Sequence, residues 1–258
     1  MSFTIAVAGK GGTGKSTLSA LILRDLLKKD LKPVLAVDAD ADANLADMLG
    51  LKDIQTLGGI RQEVQDTKGE IPASMDKSTY VEMRLEDVLV EQKGYDLVVM
   101  GRTEGQGCYC YVNNLLRKYL SQLNENYPYI VIDNEAGLEH LSRHTTDNLD
   151  ALIIVSDPSV KGILTAIKVK ELAAELKLRV KDVRLVISRL PGDVPQALID
   201  KAKEGGLEIF ATIPYDEEIL DFDLNERSIL EIDDKSKAAC AVSELMGKIV
   251  NQTSNVES

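Results

Sequence analysis

At 258 residues, with 44% hydrophobic side chains, the chain is long enough for one large α/β sheet with a buried core, which excludes wholesale disorder. Thirty Lys and Arg against 42 Asp and Glu leave a net charge of -12, which argues against a surface that holds nucleic acid through many phosphates. No apolar run is long enough to span a bilayer, and Met1-Ser2-Phe3 leads straight into an apolar run with no room for a signal peptide; a cytoplasmic protein with no membrane partner is expected.

Short β-rich runs recur along the chain at residues 3–8, 33–37, 97–100, 129–132, 151–155, 183–187 and 208–213. Several are continuously apolar, as strands buried on both faces must be. Helix-length segments with apolar periodicity separate them, at 16–29, 162–176, 194–203 and 235–250. The first carries Ser16 and Thr17 in its opening turn and Lys28 and Lys29 in its last, which suits the helix dipole. Residues 56–79 are polar, weakly periodic and interrupted by Gly58-Gly59 and Pro72, so a mobile stretch is expected there. No linker or repeat divides the chain. The expectation is one α/β domain over residues 1–258, a mostly parallel central sheet with helices on both faces.

The run at 3–8 feeds Gly9-Lys10-Gly11-Gly12-Thr13-Gly14-Lys15-Ser16, and a helix follows at once. This strand, loop and helix is the setting a P-loop needs. Glycines let successive amide N–H groups turn toward phosphates, and the helix N-terminus adds positive potential. Lys15 is then expected at the β- and γ-phosphates of ATP or ADP, and Ser16 on Mg²⁺, with Thr17 beside it.

The second lysine of the loop, Lys10, makes the motif resemble the deviant Walker-A ATPases, the group of nitrogenase iron protein and the Min and Par site-positioning ATPases. The resemblance implies that Lys10 reaches across a homodimer to the partner's nucleotide. It also implies roles for the carboxylates of Asp38-Ala39-Asp40-Ala41-Asp42, which look like switch I at the end of a strand. Asp38 is the first choice to position the attacking water, with Asp40 and Asp42 in support, Asp42 in the Mg²⁺ shell. Asp133-Asn134-Glu135-Ala136-Gly137 resembles switch II, implying Asp133 in the Mg²⁺ shell and the Gly137 N–H near the γ-phosphate. Ser188-Arg189 and Pro214-Tyr215-Asp216 stand where the family contacts the base; the family often has Asn where this chain has Ser188.

Two of the three cysteines form Cys108-Tyr109-Cys110 between glycine-rich and polar neighbours. In extended chain, residues i and i+2 point to the same side. A bridge between them is sterically awkward and a reducing compartment disfavours it, so metal ligation leads over two inert small residues at a turn. Two thiolates do not close a tetrahedral site, and His140 and His144 lie elsewhere. A twofold dimer supplies a second pair. Four thiolates suit Zn²⁺, an iron–sulfur cluster or square-planar Ni²⁺. Cys240 falls in the last helix and reads as a core residue.

Taken with both switches, the cysteine pair makes the chain similar to the CooC-type accessory ATPases of carbon monoxide dehydrogenase maturation. What that implies is a nickel metallochaperone whose client is the dehydrogenase and whose ATP-dependent homodimer shares the cysteine site. Two other readings stay open: a spatial-positioning ATPase of the Min or Par kind, and an iron–sulfur scaffold or reductase. Against the first stand the charge and the polar 251–258 segment, which lacks the basic amphipathic helix a membrane-bound version needs.

Overall fold

The computed structural model describes residues 2–66, 77–102, 119, 121, 123, 125–135, 138 and 148–254. The described strands are β1 (Phe3–Gly9), β2 (Val34–Ala39), β3 (Val90–Gln92), β4 (Tyr95–Val99), β5 (Tyr129–Asn134), β6 (Asn148–Ser156), β7 (Arg179–Leu190) and β8 (Ile209–Pro214). All eight belong to one sheet, in the order β3-β4-β2-β5-β1-β6-β7-β8. Every pairing is parallel except that of β3 with β4. Each of the seven apolar runs overlaps a strand, and the mostly parallel sheet is as the patterning predicts.

Around the sheet lie α1 (Lys15–Lys28), α2 (Asn44–Met48), α3 (Leu57–Asp66), α4 (Lys77–Glu86), α5 (Val160–Glu175), α6 (Gln196–Glu204), α7 (Glu217–Leu224) and α8 (Lys237–Ser254), with a 3₁₀ turn at Ile229–Glu231. Side-chain alternation along β1 divides the core. Ile5 and Val7 join α1 and α8 on one face; Ala6 and Ala8 join Ile163 and Ala166 of α5 on the other. A buried Leu or Ile stabilises by roughly 1.5–3 kcal/mol, so a sheet covered on both sides anchors its strand ends firmly.

From β1 the chain runs out through β2 and β4, returns to β5 beside β1, and then continues through β6, β7 and β8 on the far side. The reversal takes place at β1, and open α/β sheets bind ligands in the crevice beyond the strand C-termini at such a point.

One expectation needs correction and one segment gains detail. Within 56–79, α3 and the start of α4 are helical, and residues 67–76 lie outside the described residues. Gly58 explains how so polar a stretch folds, because a Cβ there would stand 2.3 Å from the Arg102 carbonyl oxygen, and its N–H donates to the Met100 carbonyl at 2.8 Å. Leu57 and Ile60 are buried beneath, while Glu63 accepts from the Arg84 guanidinium and the Tyr80 hydroxyl to join α3 to α4. Cys240 is exposed rather than packed in the core, since it lies off the buried stripe of Ala238, Ala239, Val242, Leu245 and Met246 on α8.

Candidate nucleotide-binding site

At the end of β1 the loop backbone takes conformations that demand glycine. Gly9 has φ +149°, and a Cβ on it would meet the Val155 carbonyl oxygen of β6 at 2.3 Å. Gly12 and Gly14 have φ +77° and +88°. Gly14 is the N-cap of α1, and no side chain caps that helix. Its first-turn amides therefore meet no capping side chain and are available to an anion. Thr13 is buried, and its hydroxyl donates to the Lys10 carbonyl at 2.8 Å, bracing the loop from within. Gly11 has open space around its Cα. Thr17 donates weakly to the Met48 sulfur at 3.9 Å, linking the first turn of α1 to the end of α2.

Lys15 is buried, with 7% exposure. Its positive charge faces Asp133, a residue with no solvent exposure at the end of β5. Burial pushes the Asp133 carboxyl up to about 6, against the hydroxyls of Ser16 and Ser19 and the charge of Lys15, with Asp40 adding to the rise. Ser19 donates to Asp133 Oδ1 at 3.1 Å, whereas Oδ2 is buried without a hydrogen-bond partner. Ser19 was not singled out in the sequence; a serine between the apolar positions Leu18, Leu21 and Ile22 was the available sign.

Asp38 stands in register with Asp133 on the adjacent strand. It too is fully buried, and burial followed by the Asp133 charge pushes it up to about 7. Three backbone amides oppose that rise. Asp38 Oδ1 accepts from Asp40 N–H at 3.1 Å, and Oδ2 from Leu45 and Ala46 N–H at 2.9 and 3.1 Å, so the carboxylate anchors the loop after β2 and the start of α2. Asp40 is nearly buried, and one of its oxygens accepts from Asp42 N–H at 3.0 Å. Asp42 is exposed, 3.7 Å from the Arg102 guanidinium, and does not join Asp38, Asp40 and Asp133 in the crevice.

Lys10 projects outward, 43% exposed, with its ammonium 3.8 Å from Asp157. Ser188 and Arg189, at the end of β7, lie against the loop: the Ser188 hydroxyl donates to the Thr13 carbonyl, and the Arg189 guanidinium to the Gly12 carbonyl at 3.1 Å. Pro214 ends β8. Asp216 beyond it caps α7 through Glu218 N–H at 3.1 Å and accepts from the Ser236 hydroxyl and Ala238 N–H at 2.7 and 3.0 Å. Burial raises the Asp216 carboxyl, but these donors outweigh it and hold the group below the usual carboxylate range. Its side chain thus fastens two helix starts. Cys108, Cys110 and Gly137 lie outside the described residues.

The donor set fits Mg²⁺: the Ser16 hydroxyl and the unpartnered Asp133 oxygen are hard oxygen ligands beside the phosphate loop. Among the described residues no group of three His, Cys, Asp or Glu side chains is placed to hold a metal ion.

The profile of the CobQ/CobB/MinD/ParA nucleotide-binding domain matches residues 4–229. The chain belongs to this family. It is a P-loop ATPase, with nucleotide as its ligand. It is 42% identical over 250 residues to an uncharacterized ATP-binding protein of Methanocaldococcus jannaschii, covering 96% of this chain and 98% of that one. The carbon monoxide dehydrogenase accessory protein CooC of Rhodospirillum rubrum is 32% identical over 227 residues, 83% of this chain and 84% of that protein. In fold, the chain superposes on the septum site-determining protein MinD of Pyrococcus horikoshii, complexed with Mg-ADP, with a TM-score of 0.69 at 22% identity, covering 100% of this chain and 99% of that one. No described helix is long and apolar enough to cross a membrane.

Proposed function

We propose that this ATPase is a metallochaperone: a homodimer that carries nickel, or another soft divalent metal, on Cys108 and Cys110 of both subunits and delivers it to a carbon monoxide dehydrogenase. The observation that carries this reading is the 32% identity to a carbon monoxide dehydrogenase accessory protein, joined to the Cys108-Tyr109-Cys110 pair.

The residues divide the work as follows. Loop amides from Gly9 to Ser16 and the buried Lys15 bind the phosphates. Ser16 and Asp133 would hold Mg²⁺, which would supply positive charge to offset that of the phosphates. Water attacks the γ-phosphorus, the bond to the β–γ bridging oxygen breaks, ADP leaves with that electron pair, and the water's proton passes to an oxygen of the released phosphate. Asp38 has three amide donors on its two oxygens, so Asp40, with more free acceptor capacity, orients the water while Asp38 sets the loop that carries it. The exposed Lys10 crosses to the partner's nucleotide, which requires it to leave Asp157. Closure of the dimer brings the two cysteine pairs together, so nucleotide state sets metal affinity, and metal sets nucleotide affinity in return.

Gel filtration and metal analysis of Cys108→Ala, Cys110→Ala protein test the reading, with Ni²⁺ and ATP present. Nickel should fall to background while ATP binding persists. A double variant that binds Ni²⁺ like the parent sinks the carrier. The fold likeness to MinD favours a spatial-positioning ATPase as second reading; retention on anionic vesicles in a pelleting assay would support it instead.

A further inference from the structure

Two adjacent residues at the end of β7 grip two consecutive carbonyls of the phosphate loop. The Ser188 hydroxyl, buried, reaches the Thr13 carbonyl, and the Arg189 guanidinium reaches the Gly12 carbonyl at 3.1 Å. The backbone is built to deliver them. The register of β7 with β8 shifts between Ser188 and Leu190, so that Ser188 pairs with Ile213, Leu190 pairs with Pro214, and Arg189 bulges out between them. Such bulges re-aim side chains beside active sites. Arg189 holds φ +55°, a left-handed conformation in which a long side chain is rare. Strain of that kind persists only where the surroundings hold it, and the guanidinium provides the hold by lying over the loop, within 3.8 Å of where a Gly14 Cβ would be.

The geometry points to Ser188 and Arg189 as a clamp that orients the phosphate-loop amides, a positioning role for the reaction distinct from recognition of the base. Because a peptide unit is planar and trans, its N–H points opposite to its C=O. Holding the Thr13 carbonyl outward turns the Gly14 N–H to the other side, and holding the Gly12 carbonyl does the same for the Thr13 N–H. The latter makes only a 3.4 Å bond to the Lys10 carbonyl. Flipping either peptide would place a carbonyl oxygen against the phosphates, so two outside donors favour the anion-binding arrangement before nucleotide arrives. Serine has one hydroxyl proton. That proton is directed at Thr13, with the Ser156 carbonyl 3.4 Å away as its other acceptor, and none is left for a ring nitrogen of a base.

The proposal rests on the nucleotide site alone and is independent of the nickel reading. Isothermal titration with ATP, GTP and inorganic tripolyphosphate tests it on the parent, Ser188→Ala, Ser188→Thr and Arg189→Gly. Glycine accepts the positive φ, so Arg189→Gly keeps the backbone conformation and removes the side chain that carries the guanidinium. Ser188→Ala and Arg189→Gly should each weaken all three ligands by a similar factor, on the order of tenfold for a lost charge-assisted or buried hydrogen bond. Ser188→Thr, which keeps the hydroxyl, should stay near the parent. A loss with ATP but not with tripolyphosphate overturns the clamp in favour of base contact, and so does unchanged affinity for all three. A parent that binds none of the ligands overturns the phosphate site itself.

Discussion

Asp38 and Asp133 occupy the same row of adjacent parallel strands, both fully buried, and each carboxyl is raised far above its ordinary value of 3.8. Burial is the larger cause for both, and the charge of Asp133 adds to the rise at Asp38. Folded protein therefore holds protons that the unfolded chain releases between about 4 and about 7. Because the native state binds more protons there, stability falls as pH rises through that window. The melting temperature of nucleotide-free protein should be lower at pH 8 than at pH 5.5, and Mg-ADP should flatten the slope by favouring the ionised carboxyls. A melting temperature that climbs from pH 5.5 to 8 without ligand would contradict this assignment.

Asp216 has the opposite sign. Its folded value is depressed, so its contribution is present above the unfolded value and is lost as pH falls below it. Asp216→Ala should destabilise the protein at pH 7 by about 2 kcal/mol, the sum of two lost helix caps at ~1 kcal/mol each. Chemical denaturation at pH 7 measures this, and a change under ~0.5 kcal/mol would show that the caps are satisfied by other groups.

Gly9→Ala should fail at the level of folding. A 2.3 Å approach to backbone cannot be relieved by a side-chain rotation, and φ +149° is foreign to alanine. A loss of more than about 3 kcal/mol is expected, and urea denaturation of whatever soluble protein is recovered gives the number. Gly11→Ala, with nothing near its Cβ, is the matched control and should fold normally.

Lys10→Ala should separate binding from turnover. An exposed ion pair with Asp157 contributes at most about 1 kcal/mol, so the melting temperature should barely move. If Lys10 acts on the partner's nucleotide, kcat should drop on the order of 100-fold or more while ATP still binds. Lys15→Ala, by contrast, should abolish ATP binding itself. Comparable kcat in the parent and Lys10→Ala would remove Lys10 from the chemistry.

Much of the site was legible because P-loop chemistry forces residue types into fixed spacing. Gly9, Gly12, Gly14, Lys15 and Ser16 had no other combined use, and the apolar runs at 129–132 and 33–37 announced strands that deliver Asp133 and Asp38 to the same edge. Side-chain direction was not legible. A run of three aspartates does not reveal that Asp38 turns inward onto the amides of Leu45 and Ala46 while Asp42 faces solvent. Nor does Ser188-Arg189 disclose a bulge, since bulges depend on how two strands slip against each other. The helix α3 was not legible for a related reason: Gly58 lowers helix propensity, yet the close approach it permits to the 100–102 backbone outweighs that deficit. Cys240 was misplaced by one step around a helix, a turn of about 100° that separates core from solvent.

The three amides that hold Asp38 give the pair of carboxyls a mechanical meaning. A neutral acid accepts hydrogen bonds more weakly than a carboxylate. Whatever draws the proton off Asp38 therefore tightens its grip on Leu45 and Ala46, and whatever returns the proton loosens α2. Met48 at the end of that helix, with Gly50 and Lys52 beyond it, forms part of a surface cavity shared with Phe222 and Arg227. The carboxyl buried in the sheet is thus tied, through two backbone amides, to a helix whose far end lines the outer face of the molecule.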